Sequence, residues 1–459
     1  MSSRPAPSPQ LPPQADALSL YLRLLPAPFL ERLQRQPGIR HNNRVYSSLV
    51  VMWLMITQRL QCLATLASAV LELLRGLPAD FWPRPCKRLR DSVQGRRALS
   101  SHTGAYNKAR QELPLSVVEQ SCDHLFQQLT AQLDGILPAL RARAFFVDGT
   151  TVRLPHTPEL CRCYPPGSNQ HGESHWPLLR MLVAHDLKTG LAMRPEWGPM
   201  HGPQAVSEQQ LLESSLDRMP EGAVLVGDAN FGVFSVAYAA VEQHHPTTLR
   251  LTPVRALRLA GGPLQDGIDR PILWRPSRDD RRNHPQLPAD AGVRGRLVVR
   301  RVQPRDNAPA FLLCLFTTLP QVSDQVMELY GQRWNIETDL RSLKSTLELD
   351  QLRCETREMV AKELDLGIAA YNLIRTVMCL AAEASGVCPR NYSFTRVRHV
   401  IEAFGPLVAG AQDPQEAQKY MDQMMYYVQQ ARLPQRRRKR PSYPRQVWGK
   451  GASFPHREG

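Results

Sequence analysis

Residues 330–344 read YGQRWNIETDLRSLK. On an α-helix each residue turns the chain by about 100°. Tyr330, Arg333, Glu337 and Lys344 then fall within roughly 60° of one another, along one stripe. A buried stripe should be apolar. This one carries an aromatic hydroxyl, a guanidinium, a carboxylate and an ammonium. Two permanent cations flanking one carboxylate suit a site where an acid holds a metal while bases hold phosphates. The same spacing fits a solvated face with Arg333–Glu337 and Glu337–Arg341 ion pairs, worth about 0.3 kcal/mol each. The stripe alone leaves both readings open.

Upstream, residues 142–154 (ARAFFVDGTTVRL) form a buried-strand run interrupted at Asp148-Gly149. Residues 178–186 and 190–197 read as two strands joined through Lys188-Thr189-Gly190, a hairpin signal. A helix is expected over 204–218, and residues 223–226 make a short apolar strand ending in Gly227-Asp228. Residues 233–244 are again helical and 247–252 strand-like, which completes an α/β unit. Residues 253–319, rich in Arg, Pro and Gly, carry three candidate strands at 272–275, 295–302 and 310–317 and read as a β-rich insertion. Helices follow at 322–347 and 356–384, with a helical remnant to about residue 430.

Asp148 lies within a strong strand run, where a charge is costly unless it is paired or coordinates a cation. Asp228 stands at the carboxyl end of a strand, where α/β sheets place their sites. With Glu337 on the later helix, the three acids have the layout needed for two hard divalent cations about 4 Å apart in phosphodiester displacement. Singly each acid is weak: Asp148-Gly149 also fits a turn, and Asp228 an N-cap.

The balance of 57 Lys+Arg against 42 Asp+Glu gives +15 over 459 residues, with a pI near 9.7. Basic proteins of this size most often meet nucleic acid. Nine cysteines without regular spacing point to reduced thiols. No charged n-region with an apolar core opens the chain, and the apolar run 49–57 is too short to span a bilayer. The expectation is a cytoplasmic, nucleoid-associated protein without a membrane partner.

The three acids and their surroundings resemble the DDE transposases of bacterial insertion sequences, specifically the IS4 (insertion-sequence-4) family. Tyr330, Arg333, Glu337 and Lys344 match that family's Y-x2-R-x3-E-x6-K signature without a gap. DGTTVRLP around Asp148, VGDANF around Asp228, SHTGAYNKARQELP and the run from Ala370 to Arg375 are also similar to the family. Ala229 departs from it, since many relatives carry a basic residue there.

The resemblance implies an α/β fold: an RNase H-like catalytic core with a β-rich insertion, preceded by an N-terminal helical domain and followed by a C-terminal helical region. The expected division is a disordered leader (1–17), a helical DNA-binding domain (18–135), core residues 140–252, the insertion 253–319, core residues 320–385, a helical region 386–430 and a basic tail 431–459. It implies Asp148, Asp228 and Glu337 as catalytic, metal-holding acids with two Mg²⁺ ions, Mn²⁺ serving as a substitute. It implies cut-and-paste transposition through a hairpin intermediate on double-stranded DNA, both terminal inverted repeats and target, in a homodimeric synaptic complex. Arg333, Lys344 and Tyr330 become phosphate contacts. Trp274 becomes a candidate stacking platform for a flipped base, its alternative being small-sheet core. Lys108 and Arg110 are candidate DNA contacts, and Trp334 reads as packing. The run Arg436–Arg440 reads as a non-specific DNA contact or a solubilising tail. His156, Cys161, Cys163, His171 and His175 fit no compact zinc spacing. A catalytically inactive DNA-binding relative and a structure-selective nuclease remain as rivals.

Overall fold

The computed structural model describes residues 14–35, 44–61, 65–82, 84–134, 143–169, 172–303 and 309–434. The basic run 436–440 and His171 lie outside these.

The strands are β1 (Ala144–Arg153), β2 (Pro166–Asn169), β3 (Gly172–Asp186), β4 (Glu196–Pro199), β5 (Val224–Gly227), β6 (Thr247–Arg250), β7 (Asp269–Trp274), β8 (Val293–Val302) and β9 (Phe311–Thr317). They form one mixed sheet in the order β2-β3-β1-β5-β6-β9-β8-β7, with β4 paired to β3. β1 runs antiparallel to β3 and parallel to β5; β5 runs parallel to β6. β9 then joins β6 antiparallel, so β7–β9 extend the same sheet. Strands β5 and β9 are apolar on both faces, as expected of strands covered on either side, and β6 between them buries Thr247 and Thr248.

β1 is continuous through the position where the sequence suggests an interruption. Asp148 pairs with Val183 and Gly149 with Leu182, so Asp148-Gly149 is no turn. The hairpin after β3 forms at the expected residues: Asp186 Oδ1 accepts from Lys188 N at 2.7 Å and Thr189 N at 3.2 Å, and Gly190 takes φ +76°. The returning strand is only a bridge at Ala192 before β4 begins at Glu196. Pro195 lies between them and has no N–H to give to a ladder. The Asn372 side-chain amide takes over, accepting from Ala192 N and donating to Ala192 O, both at 2.8 Å.

Two expected helices are broken. Residues 204–218 hold a helix Glu208–Glu213 and a 3₁₀ turn Leu216–Arg218. Residues 322–347 divide into a helix Ser323–Gly331, a glutamate helix Trp334–Arg341 and a π-helical turn Ser342–Thr346. At the first break Gln332 N and Arg333 N bond three residues back, to Leu329 O and Tyr330 O, after the weak helix former Gly331.

The longest helix, Arg357–Ser385, starts at a Thr356 cap and ends at Gly386 in the left-handed conformation. By length and composition it could cross a membrane, yet its apolar stretch is wholly buried inside the protein. It is the axis of the core, packed against helices Leu115–Asp134, Ser48–Leu60 and Ala17–Leu24. Lys362 Nζ on this axis donates to the end carbonyls Arg110 O and Gln111 O, at 3.1 and 3.0 Å. Glu363 beside it takes Arg59 at 2.5 Å and Arg110 at 2.7 Å.

Asp339, fully buried on the glutamate helix, pairs with Arg375 of the axis helix and with Arg390 Nη1 at 2.9 Å. Burial works to raise its carboxyl pKa, but Arg375, Arg390 and His185 together hold it below the ordinary value. Arg390 also donates to Leu187 O at 3.0 Å and Asp186 O at 3.2 Å, at the hairpin. Removing one partner leaves the others charged and dry. Asp339→Ala should therefore cost about 3–5 kcal/mol in urea unfolding, whereas exposed Trp334→Ala should change stability by less than about 0.5 kcal/mol.

Candidate active site

Sheet register sets the relation of the two aspartates. In the parallel pair β1·β5, Phe146 is level with Val226. Two residues further on, one strand reaches Asp148 and the other has just passed its end at Asp228. Adjacent strands lie about 4.8 Å apart, so the backbones of the two acids stand side by side, Asp148 midway along β1 and Asp228 just past the carboxyl end of β5. Each is held by the backbone. Asp148 Oδ1 accepts from Gly149 N at 2.9 Å, and Asp228 Oδ1 from Asn230 N at 2.8 Å. The helix that follows Asp228 is capped at Val233, so Asp228 is not its N-cap.

The glutamate helix packs against β1. Glu337, half-exposed, takes Arg333 Nη2 at 3.3 Å. Arg333 also acts electrostatically on Asp148, so one guanidinium serves the strand acid and the helix acid. The ion pair that the bland reading of the stripe anticipates is present, and it lies next to the aspartates. Burial raises the Asp148 carboxyl to about 6; the Gly149 N–H and Arg333 oppose this, while Asp228 and Glu208 reinforce it. Tyr330 is buried beside Arg250 and Arg333, and burial raises its hydroxyl pKa. Lys344 lies in the π-helical turn, partly exposed.

The donor set is hard carboxylate oxygen with like charges pressed together, which is chemistry a divalent cation fits and relieves. Among the described residues, no three or more His, Cys, Asp or Glu are grouped closely enough to hold a metal ion together, so the fit is one of donor chemistry. That absence includes the loop with His156 and His175, whose rings stack with centroids 5.1 Å apart.

Other sequence candidates lie elsewhere. Trp274 is 4% exposed, edge-on to Phe316 at 4.9 Å and Phe234 at 6.1 Å, so its ring is core. Trp334, expected to pack, is 67% exposed next to Arg333. Arg110 is tied to Glu363, and Lys108 is exposed, 3.7 Å from Glu112. Two neighbours carried no motif, Glu208 beside the aspartates and Arg250 beside Tyr330; Asn230 lies within VGDANF but had no role of its own there. A Ser207–Gln210 capping box was visible around Glu208, but it marks a helix start and not a partner.

Comparison with known proteins places these residues in a family. The model of the transposase DDE domain matches residues 140–373, just over half of the chain and all three acids. That match sets the class: the chain carries a transposase DDE domain. The transposase InsG for insertion sequence element IS4, from Escherichia coli (strain K12), is 24% identical over 318 residues, covering 67% of this chain and 68% of that protein. The chain belongs to the DDE transposases, in their IS4 family. It is thus an enzyme of the nucleotidyl-transferase type that serves DNA transposition. The structure of a piggyBac transposase synaptic complex with hairpin DNA aligns over 90% of this chain and 85% of that one, at 10% identity and a TM-score of 0.40.

The raised Asp148 carboxyl has a thermodynamic consequence. Its unfolded value is near 3.8 and its folded value about 6. Below the first it is protonated in both states; the cost of ionising it in the fold grows between the two and is complete above the second. Asp148→Asn should therefore stabilise the metal-free protein by about 1 kcal/mol at roughly pH 8, after allowance for solvent screening, and the gain should vanish near pH 3.5. Thermal melts across that range check it.

Proposed function

We propose that the protein is an active cut-and-paste transposase whose reaction centre is Asp148, Asp228 and Glu337. The observation that carries this is the placement of Asp148 midway along β1 beside Asp228, just past the end of the neighbouring parallel strand β5, with the Arg333–Glu337 pair against the first of them. An RNase H-like core is supported by the antiparallel β4-β3-β1 meander continuing into parallel β5 and β6. The helical residues 18–135 act as a DNA-binding domain, residues 253–319 as an insertion, residues 140–252 and 320–385 as the two parts of the core, and 386–430 as a helical appendage.

Asp148, Asp228 and Glu337 would hold two Mg²⁺ ions, with Mn²⁺ as a substitute. When bound, these supply charge stabilisation at the phosphate and at the attacking and leaving oxygens. The protein's own part is positioning and neutralisation. Arg333 uses one edge of its guanidinium on Glu337 and keeps donors for a phosphate. Lys344 adds a second cation. Tyr330, buried beside Arg250, orients that guanidinium toward the backbone of the DNA. With Trp274 in the core, exposed Trp334 offers the stacking face for an unpaired base. Water displaces the 3′-oxygen at an element end; that 3′-OH attacks the opposite strand and closes a hairpin. A second water opens the hairpin, and the 3′-OH then displaces an oxygen of target DNA. A homodimer holding two ends, acting on nucleoid DNA in the cytoplasm, fits this sequence of steps.

Purified protein, a labelled duplex ending in the element's terminal repeat, and a target plasmid test the scheme. Cleavage with joining supports a transposase, cleavage alone a nuclease, and a mobility shift alone an inactive relative. Glu337→Ala should lower end cleavage by about a thousandfold, and a chelator should abolish it until Mg²⁺ is returned; unchanged cleavage in Glu337→Ala sinks the site assignment. Lys344→Ala should weaken DNA binding at every sequence tested and reduce the log–log salt slope by about 1.

A further inference from the structure

The two aspartate segments share one neighbour. Glu208 opens the helix Glu208–Glu213, whose start is fixed by the reciprocal bonds between Ser207 and Gln210. Glu208 Oε2 accepts from Asn230 Nδ2 at 2.5 Å. Gln209 Nε2 grips the same residue, donating to Asn230 O at 2.7 Å and Asn230 Oδ1 at 2.8 Å. Asn230 N in turn donates to Asp228 Oδ1. On its other side, the Glu208 carboxylate fills the space a Cβ would take at Gly149, and any side chain there would overlap Oε1. Gly149 N is the donor to Asp148 Oδ1.

We propose that Glu208 is a positioning residue for the transposition reaction, spanning the turn that carries Asp228 and the strand backbone that carries Asp148. The proposal rests on the reading of those aspartates as reaction-centre acids. Glu208 works through two things visible in its contacts: an acceptor oxygen toward Asn230 and a volume seated on Gly149. Glutamine keeps both. A third negative charge beside two acids adds repulsion, whereas an acceptor and a spacer fix where the two carboxylates stand. Small displacements of reacting groups cost rate steeply, so the effect belongs in the chemical step and not in DNA affinity.

The experiment is single-turnover end cleavage by the full chain, in Mg²⁺ with saturating labelled duplex, alongside DNA affinity by anisotropy. Glu208→Ala should slow cleavage by roughly tenfold or more with DNA affinity unchanged. Glu208→Gln should remain within about threefold of the parent. Asn230→Ala removes the same hold from its other end, should be as slow as Glu208→Ala, and the double variant should be no slower than either single one. If Glu208→Ala melts early, the Asn230→Ala rate decides. Glutamine as slow as alanine means that the charge itself is required and overturns the positioning role. So does a parental rate in Glu208→Ala, or a double variant whose losses multiply. An Asp228→Ala protein that still cleaves at the parental rate removes the reaction-centre reading, and this proposal with it. An intact requirement for Asp228 with a parental Glu208→Ala removes this proposal alone.

Discussion

A single buried carboxylate, Asp339, ties the glutamate helix to the axis helix and to the β3 hairpin. It lies two residues beyond Glu337 on the same short helix, and two residues on a helix are about 200° apart. When Asp339 points into the core, Glu337 must point away from it. Arg375 supplies one partner from the axis helix and Arg390 the other, and Arg390 also grips the carbonyls at the β3 hairpin. Arg375 Nε donates to Tyr371 Oη, and Tyr371 Oη donates to Gly190 O at 2.9 Å. Hairpin, axis helix and glutamate helix thus meet on one charge. Buried pairs of this kind contribute little net stability compared with an apolar core of equal volume. Here the pairing selects one rotation of an eight-residue helix that is otherwise bounded by two irregular turns.

The same arrangement explains the similarity of residues 370–375 to the family, which the sequence alone displays without a reason. Tyr371, Asn372 and Arg375 are the side chains that reach the hairpin and the glutamate helix. They are polar residues on a helix whose other faces are apolar and buried. Nothing in their spacing names the partners, because those partners are about 180 residues away in the chain for Asn372 and Tyr371.

Legibility followed the range of the interaction. Strands β1, β3, β5, β6, β7, β8 and β9 could be read because runs between turn residues are local; Asp148 drew notice in the same way, as an acid inside such a run, and Asp228 as an acid directly after one. The breaks at Gln332–Arg333 and at Ser342–Thr346 could not, because the stripe from Tyr330 to Lys344 has the spacing of one unbroken helix. Trp274 was ambiguous for a similar reason: whether an indole is core or platform depends on Phe234 and Phe316, neighbours across elements. Glu208 was silent because it meets Gly149 and Asn230 across the fold, and Arg250 because it meets Tyr330 in the same way, with no local pattern to betray either. The joining of β7–β9 to the main sheet is likewise a matter of which edges meet, and a segment-by-segment reading does not contain it.

The level placement of Phe146 with Val226 has one more meaning. The spacing of the two backbones that carry the aspartates is a property of the peptide ladder, the interstrand pitch common to every sheet; only the aim of their carboxylates is left to side chains such as Glu208. Substitutions in the core can loosen or tighten the protein while leaving that spacing as it is. The ruler between the strands is made of backbone, and the side chains around it have only to aim what it spaces.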